Sequence, residues 1–521
     1  MRPANESSEP PGVPAVRWNE RLRLIRHSVW NISSLAVSGL VGIFLVPIML
    51  AGLGMERYGV WLTASAVSDI AGGLGFGLGL SLVREVAASA DDSTSEETAR
   101  FVCSSRNIYL LMGVVVMLGL AALSGVFAAG LRLSPATRAL VLPAFALIGL
   151  AFVGEQLSAF SLAVLAGLRR FDLIGMIAIS GSILNATFTF LILHSGRSLV
   201  ALAMWRAALA LVTAVVTSVV IFVLRPDFGR WNTSVDSRSL RSQGGFIVAS
   251  QVNSVIGKAV FDGVVPLIGF ILGAAAIVPY RIGLKFPQFM GVVSGRIAEV
   301  LYPASSEYDR AGDSLKAQAA LRWGTRFIIL ANVPVLVTLF VLAPYLLHIW
   351  IPACPLEAVT ILRISTLAVL FDVAGYTADN LLWGAGLAQR LLKIMLTAGV
   401  VTLGVGVLLL FRIGVVGMAV GTVFGFVVGT TLLFRAAAQR YQVRMRDLVG
   451  STTHGLVIPI AFSVIALWAA SRLYPPAGWL SLAVVSGVGL VVYAITYYGL
   501  TASHDERRML RGLFADLLAT D

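Results

Sequence analysis

The sequence predicts an all-α polytopic membrane protein, with about 14 transmembrane helices in two six-helix lobes plus a C-terminal helix pair. Composition, a succession of apolar runs and an internal repeat predict it. Of 521 residues, 57% are hydrophobic and only 13% charged, and the mean hydropathy is +0.86. A soluble domain carries about a quarter of its residues as charged side chains. No aqueous fold of this length hides so much apolar surface. The net charge of +12 and pI near 10.1 suit cations retained on the cytoplasmic side of a membrane. Nothing resembles a nucleic-acid-binding module, so no nucleic-acid partner is expected.

A helix needs about 20 apolar residues to cross the hydrocarbon. Fourteen runs qualify, with soft ends: 28–51, 60–83, 106–130, 139–163, 171–193, 199–224, 245–270, 277–300, 324–347, 359–383, 391–411, 415–434, 454–472 and 479–500. An even number puts both termini on one side. With the termini cytoplasmic, and residues at run ends counted with the adjoining loop, 27 of the 39 Lys and Arg fall in cytoplasmic segments, 6 in outer loops and 6 inside runs. The cation-rich loops include "RPDFGRWNTSVDSRSLRS" and "RAAAQRYQVRMRD"; the outer loops, such as "GLGMERYG" and "LGAAAI", are short and poor in cations. That asymmetry orients the chain.

The start, 1–20, is polar and Pro-rich and reads as a disordered cytoplasmic tail. The first apolar run is too long for a signal-peptide core and is expected to stay as a span. The stretch 504–521, containing "HDERRMLRGLFADLL", reads as an amphipathic cytoplasmic tail at the inner surface. Cys103 and Cys354 form no metal or redox motif and fall on opposite sides in this topology, which argues against a disulfide.

The repeat follows from two matches. "VPIMLAGLG" (46–54) aligns with "VPLIGFILG" (265–273), and "AGLRRFDLIGM" (166–176) with "AGLAQRLLKIM" (385–395), both at an offset of 219. Two six-span units in the same orientation result, a parallel repeat about an axis along the membrane normal. The expected organisation is an N-terminal lobe, 21–224; a cytoplasmic linker, 225–244; a C-terminal lobe, 245–434; and an extra helix pair, 435–503. Transporters are often built this way, with the substrate between the halves.

"GGLGFGLGL" (72–80) lacks both the G-x-G-x-x-G spacing and the Lys-Ser/Thr of a P-loop. Glycines every two and four residues in an apolar span instead let helices approach closely. None of the five His has metal-ligand spacing, and no Ser/His/Asp or Cys/His grouping is legible. No catalytic residue, metal site or cofactor is read, and the protein is expected to be a transporter and no enzyme. A membrane glycan polymerase or ligase would need a sizeable outer loop to carry its chemistry, whereas the outer loops here are about ten residues long.

"LGMERYGVWLTASAVSDIAGGLGFGLGLSLVREVA" (53–87), "VLAGLRRFDLIG" (164–175) and "LGAAAIVPYRIGLKFPQF…LYPASSE" (272–307) resemble corresponding segments of bacterial polysaccharide and O-antigen flippases. These form the polysaccharide transporter branch of the multidrug/oligosaccharidyl-lipid/polysaccharide exporter superfamily. The resemblance runs over most of the chain. It implies a V-shaped, two-lobe protein of the bacterial inner (cytoplasmic) membrane that moves a polyprenyl-pyrophosphate-linked oligosaccharide outward. Its partners would be that lipid-linked oligosaccharide, membrane lipid and other polysaccharide-assembly proteins. The alternative is a multidrug or cation antiporter of the same superfamily.

An ionised side chain inside a span costs about 2.5–3.5 kcal/mol on insertion scales and so faces protein or a wet cavity. Arg281 and Lys285, in "AIVPYRIGLKFPQFM", are four apart and share a helix face. The resemblance implies that this face lines the cleft. Arg206, Lys258, Arg296 and Arg363 also lie inside runs. Arg281, Lys285, Arg206, Lys258 and Arg363 are the candidate substrate residues, because Arg offers a forked donor to phosphate oxygens and Lys a point charge. Such a basic cavity suits an anion better than an organic cation. The bland alternatives are local. Lys258 and Asp262, four apart, can neutralise each other; Arg363 can snorkel; Arg296 and Glu299 can form a solvated pair. Asp69, Glu155, Asp262, Asp372 and Asp379 are candidates for ion coupling or charge balance.

Overall fold

A computed structural model describes residues 18–89, 96–196, 198–229, 237–299 and 301–508. Among them every regular element is helical. Lipid offers backbone groups no hydrogen bonds, so an apolar run that enters it must satisfy its own N–H and C=O groups as a helix. Twelve helices are long and apolar enough to cross a membrane among the described residues. The first, Ser33–Ala88, covers two of the runs. It takes in α1 (Trp18–Gly72) from Ser33 onward, a short 3₁₀ turn and α2 (Phe76–Ala88), and α1 is broken at Gly54 (φ 73°, ψ 170°). The charged run 277–300 is α9 (Ile277–Ala298), which is not among the twelve.

The first bundle continues through α3 (Glu96–Gly130), α4 (Pro135–Gly167), α5 (Phe171–His194) and α6 (Leu199–Leu224). α4 packs on α2, α3 and α6, and α5 on α1. α4 starts where Ser134 caps it and Pro135 supplies a fixed φ with no N–H to waste. Glu56, just past the Gly54 break, accepts from the Ser134 N–H, the Ser134 hydroxyl and the Thr137 hydroxyl. That carboxylate sits at the positive end of the α4 dipole.

The second bundle begins with α7 (Ser237–Asp262), interrupted at Gly263 and resumed as α8 (Val264–Leu272). After α9 come α10 (Leu301–Ala311), α11 (Ser314–Trp350), α12 (Leu356–Gly384), α13 (Ala388–Ile413) and α14 (Val416–Tyr441). α12 is central, packed on α9, α11 and α14. α10 lies across the end of α12, where Ser305 and Tyr441 hydroxyls donate to Leu381 O (2.6 and 3.0 Å) and that of Ser306 to Gly384 O (3.1 Å). The Ser306 bond occupies a carbonyl past which the helix offers no N–H, while Leu381 O, already paired with the Ala385 N–H, takes the other two as additional donors. α15 (Met445–Thr453), α16 (Val457–Leu473) and α17 (Trp479–Thr496) follow, and α16 and α17 pack on α11.

Two element starts differ from expectation. α1 already runs through 18–20, within the expected tail, and α7 starts at Ser237, eight residues before the expected start of the C-terminal lobe at 245. The remainder of the 1–20 tail, residues 230–236 of the linker and residues 509–521 of the C-terminal tail lie outside the described residues.

The repeat is visible in the backbone. Gly54 and Gly273, 219 apart, share an extended conformation at positive φ (73° and 99°) that side chains with a Cβ avoid. The turns after α4 and α12 also match: N–H groups of 168, 169 and 170 bond to carbonyls of 164, 166 and 165, as those of 385, 386 and 387 do to 381, 383 and 382. Here the offset is 217, so Gly167 corresponds to Gly384 and not to Gly386. The two-residue slip is less than one helical turn.

The bundles meet along two seams. In the first, α2 and its preceding turn run against α7. A methyl group on Gly73 would press on Val255, and one on Gly77 would collide with the Ile247 carbonyl, while the Gln251 side chain donates to Leu74 O. Gly75 and Gly79 make room for Tyr109 of α3, whose hydroxyl donates to Gly75 O at 2.7 Å. The glycine run is thus a packing surface, as its spacing predicts. At the distal face, where the breaks at Gly54 and Gly273 lie, Ala274 N–H donates to Leu131 O at 3.0 Å, and Phe127 stacks on Phe270. In the second seam α1 runs against α9, with Gly39 under Phe289 and Gly42 under Lys285.

Candidate functional site: a charged belt between the bundles

Arg206 of α6 is held within the first bundle. Its Nε donates to Glu155 Oε1 (3.0 Å), its Nη1 to Ser65 Oγ (2.9 Å), and its guanidinium carbon lies 5.7 Å from the Trp61 ring centre. Arg281 of α9 is held within the second, its Nη2 donating to Asp262 Oδ1 at 3.1 Å. The local sequence explains why Asp262 is available there. Pro266 has no N–H to offer the carbonyl four residues earlier, so the helix breaks at Asp262–Gly263. Pro47 occupies the corresponding place in α1, where the helix continues unbroken as far as Gly54. Asp69, exposed on the second half of α1, is within electrostatic reach of Arg206, Arg281, Asp262 and Glu155, so the belt crosses from one bundle to the other.

Lys285 and Lys258 behave differently. Neither makes an ion pair or a hydrogen bond among the described residues. Each reaches from the second bundle to a glycine of α1. Lys285 Nζ lies 3.3 Å from where a Cβ on Gly42 would stand, and Lys258 Nζ 3.3 Å from that position on Gly72. At 1.5 Å per residue, Gly42 and Gly72 are about 18 and 27 Å from the Gly54 break. The local neutralisation expected for Lys258 does not occur, because Asp262 is turned to Arg281. Of these four cations, the two arginines have carboxylate partners and the two lysines have none among the described residues.

The remaining candidates separate. Arg363 of α12 turns to α11, its Nε donating to Phe340 O at 3.2 Å and its guanidinium lying over the Phe340 ring. Arg296 and Glu299 form the solvated pair expected of them, with side chains 64% and 56% exposed. Asp372 accepts from the Tyr376 hydroxyl at 2.6 Å, and Asp379 lies within electrostatic reach of both, which makes an acidic group on α12 with no ion pair described. No group of three metal-ligating side chains occurs among the described residues.

Sequence reasoning missed two residues. Trp350, at the end of α11, donates from its indole to Ile43 O of α1; the signal was Pro47, which leaves that carbonyl without its usual partner. Arg326, counted with a loop, is 4% exposed and holds Glu506; the signal was "SHDE" (503–506), a Ser-x-x-Glu capping box.

Two interrupted bundles that face each other across a charged belt define a polytopic membrane protein of transporter architecture. A polysaccharide biosynthesis protein family matches residues 53–352, more than half of the sequence. The chain belongs to that family, which bears out the resemblance to polysaccharide flippases. It is 23% identical over 291 residues to a protein of Shigella flexneri named "Putative O-antigen transporter", covering 55% of this chain and 67% of that one. Its fold is similar to that of the lipid II flippase MurJ in an inward closed conformation (TM-score 0.72, 12% identity, 91% of this chain and 99% of the other). It is also similar to an inward-facing multidrug resistance transporter of the MATE family (TM-score 0.60, 16% identity, 81% and 96%).

Proposed function

We propose that the protein is a flippase that carries polyprenyl-diphosphate-linked oligosaccharide units across the bacterial inner membrane. The observation that carries this reading is the pair Lys258 and Lys285, cations beside α1 between two bundles with no carboxylate partner among the described residues. In a low-dielectric setting such charges favour a dianionic group strongly. The diphosphate would rest on the two lysines, with Arg206 and Arg281 able to turn part of their donor fork toward it. Residues 21–224 and 245–434 would rock as two lobes, with 435–503 attached to the second. The Asp372–Tyr376–Asp379 group, remote from paired cations, suits uptake of a coupling ion, and Asp69 suits charge balance within the belt.

The test is reconstitution in liposomes with a diphosphate-linked oligosaccharide whose outer-leaflet share is read by a lectin or a glycosidase. Flipping should exceed that of the monophosphate analogue by about tenfold or more, the worth of one charge-assisted contact. Efflux of an organic cation with no flipping would overturn the reading in favour of an antiporter.

The orientation proposed, termini inward, has its own test. In intact cells a cysteine replacing exposed Asp227 should resist an impermeant thiol reagent, and one replacing Leu356, 86% exposed beside the turn after α11, should label. The reverse pattern would invert the topology. Native Cys354 is a poor reporter, because burial pushes its thiol up to about 11, and the thiolate is the reactive form.

A further inference from the structure

Ile43 lies four residues before Pro47 within α1. In an unbroken helix its carbonyl would accept from the N–H of residue 47, and proline has none. Inside a bilayer such a carbonyl must find another donor or cost free energy. The donor comes from the other bundle: Trp350 Nε1 lies 3.2 Å from Ile43 O. Both residues are buried, at 7% and 4% exposure. Phe286, the neighbour of Lys285, meets the Trp350 ring edge-on at 4.8 Å and fixes its direction. Trp350 is the last residue of α11, just before the turn 351–355, so the bond ties that end of the second bundle to α1.

We propose that this bond is a clasp, made by a proline-freed carbonyl on one lobe and an indole N–H on the other, which holds the distal side of the molecule shut. On the α2–α7 side the lobes touch backbone to backbone through glycines, with few parts to release. Along α1 before the Gly54 break they touch through side chains, Phe289 on Gly39, Lys285 on Gly42 and Trp350 on Ile43, whereas past it Gly59 packs on the Ala274 backbone. Opening breaks this side-chain bond together with the Ala274 N–H to Leu131 O bond at the distal face, while the glycine seam of α2 and α7 serves as the line of rotation. When the clasp opens, the Ile43 carbonyl loses its donor and regains it only on closure, which favours return to the shut state. The clasp rests on the rocking of two lobes proposed above, but not on the identity of the substrate.

The test measures distances in the full-length protein in lipid nanodiscs with no substrate present. Spin labels replace Met55 and Leu356, exposed positions on the two lobes near the distal face, in a background with both native cysteines changed to Ser. Trp350→Phe keeps the ring and removes the donor, and should raise the distal-open to distal-closed ratio about three- to tenfold, the effect of one net hydrogen bond. Pro47→Ala restores an intrahelical N–H that competes for the same carbonyl and should shift the ratio in the same direction. The two variants disable one bond, so their combination should do no more than the larger single effect. An unchanged ratio in Trp350→Phe, or fully additive shifts in the double variant, would overturn the clasp. Because no substrate is added, failure here leaves the flippase reading intact, and failure to flip a diphosphate lipid leaves the clasp standing.

Discussion

Lys258→Gln combined with Lys285→Gln is expected to abolish translocation of the diphosphate-linked oligosaccharide, while the protein still inserts and folds. Each lysine would supply a charge-assisted contact worth about 1.5–3 kcal/mol, so losing both should cost roughly a hundredfold or more in transport at limiting substrate. Neither lysine has a described carboxylate partner, so neutralising them strands no opposite charge. Removing an unpaired cation from a span even lowers the cost of insertion. The arginines are different. Arg281→Gln would leave Asp262 without its 3.1 Å partner and Arg206→Gln would leave Glu155 without its own, so those variants should lose protein as well as transport. A second change, Asp262→Asn or Glu155→Gln, should restore their expression. Lys285→Arg should retain part of the activity, because it keeps the charge but places a broader fork against Gly42. The readouts are surface expression, melting temperature and the initial rate of flipping. A well-expressed double Gln variant with a normal rate would remove both lysines from the site.

The sequence placed Arg281 and Lys285 together, and helical spacing was sufficient for that. It could not assign their partners, because Asp262 is four residues from Lys258 and nineteen from Arg281, and only the break at Gly263 decides which it meets. Membrane helices were legible because lipid forces apolar length into helix, and the glycines of 72–80 were legible as packing because no other use fits their spacing. Register in the repeat was less so. The Pro47 and Pro266 segments hold the 219-residue offset through a shared positive-φ glycine, whereas the turns after α4 and α12 slipped to 217 while letter matches still favoured 219. The ends of elements were hardest: α7 gains eight mostly polar residues at its start, where hydropathy is silent and hydrogen bonding decides. Arg326 illustrates the remaining gap. A cation near a run end reads as solvated unless its partners, more than a hundred residues away, are known.

Arg326→Met is expected to be the most destabilising single substitution in the second bundle. The guanidinium, 4% exposed, makes four bonds: Nε to Glu506 Oε1 (2.9 Å), Nη1 to Thr452 O (3.0 Å) and His454 O (2.7 Å), and Nη2 to the Tyr497 hydroxyl (3.3 Å). It thereby fixes the turn between α15 and α16, the π-helical end of α17 and the first residues beyond it to α11. Taking away one partner of a buried pair costs about 3–5 kcal/mol, since the other charge stays buried alone. Here the two carbonyls would lose a donor as well. Arg326→Lys keeps the charge but cannot reach all four acceptors and should fall between the two. Glu506→Gln still offers an oxygen to Nε and should cost less than Arg326→Met. The pH dependence has a defined sign. Burial alone would raise the Glu506 carboxyl, but hydrogen bonds from the Ser503 N–H, Tyr497 and Arg326 hold it below its ordinary value. A carboxylate depressed in the folded state adds stability that is complete above its unfolded value of about 4.3 and disappears as pH falls through the folded one. The melting-temperature gap between wild type and Glu506→Gln should therefore be constant from pH 8 to about 5 and close at lower pH. A gap that instead opens or closes near neutrality would show that Glu506 does not carry the effect. An Arg326→Met protein as stable as wild type would show that α16 and α17 are held to α11 by apolar packing alone.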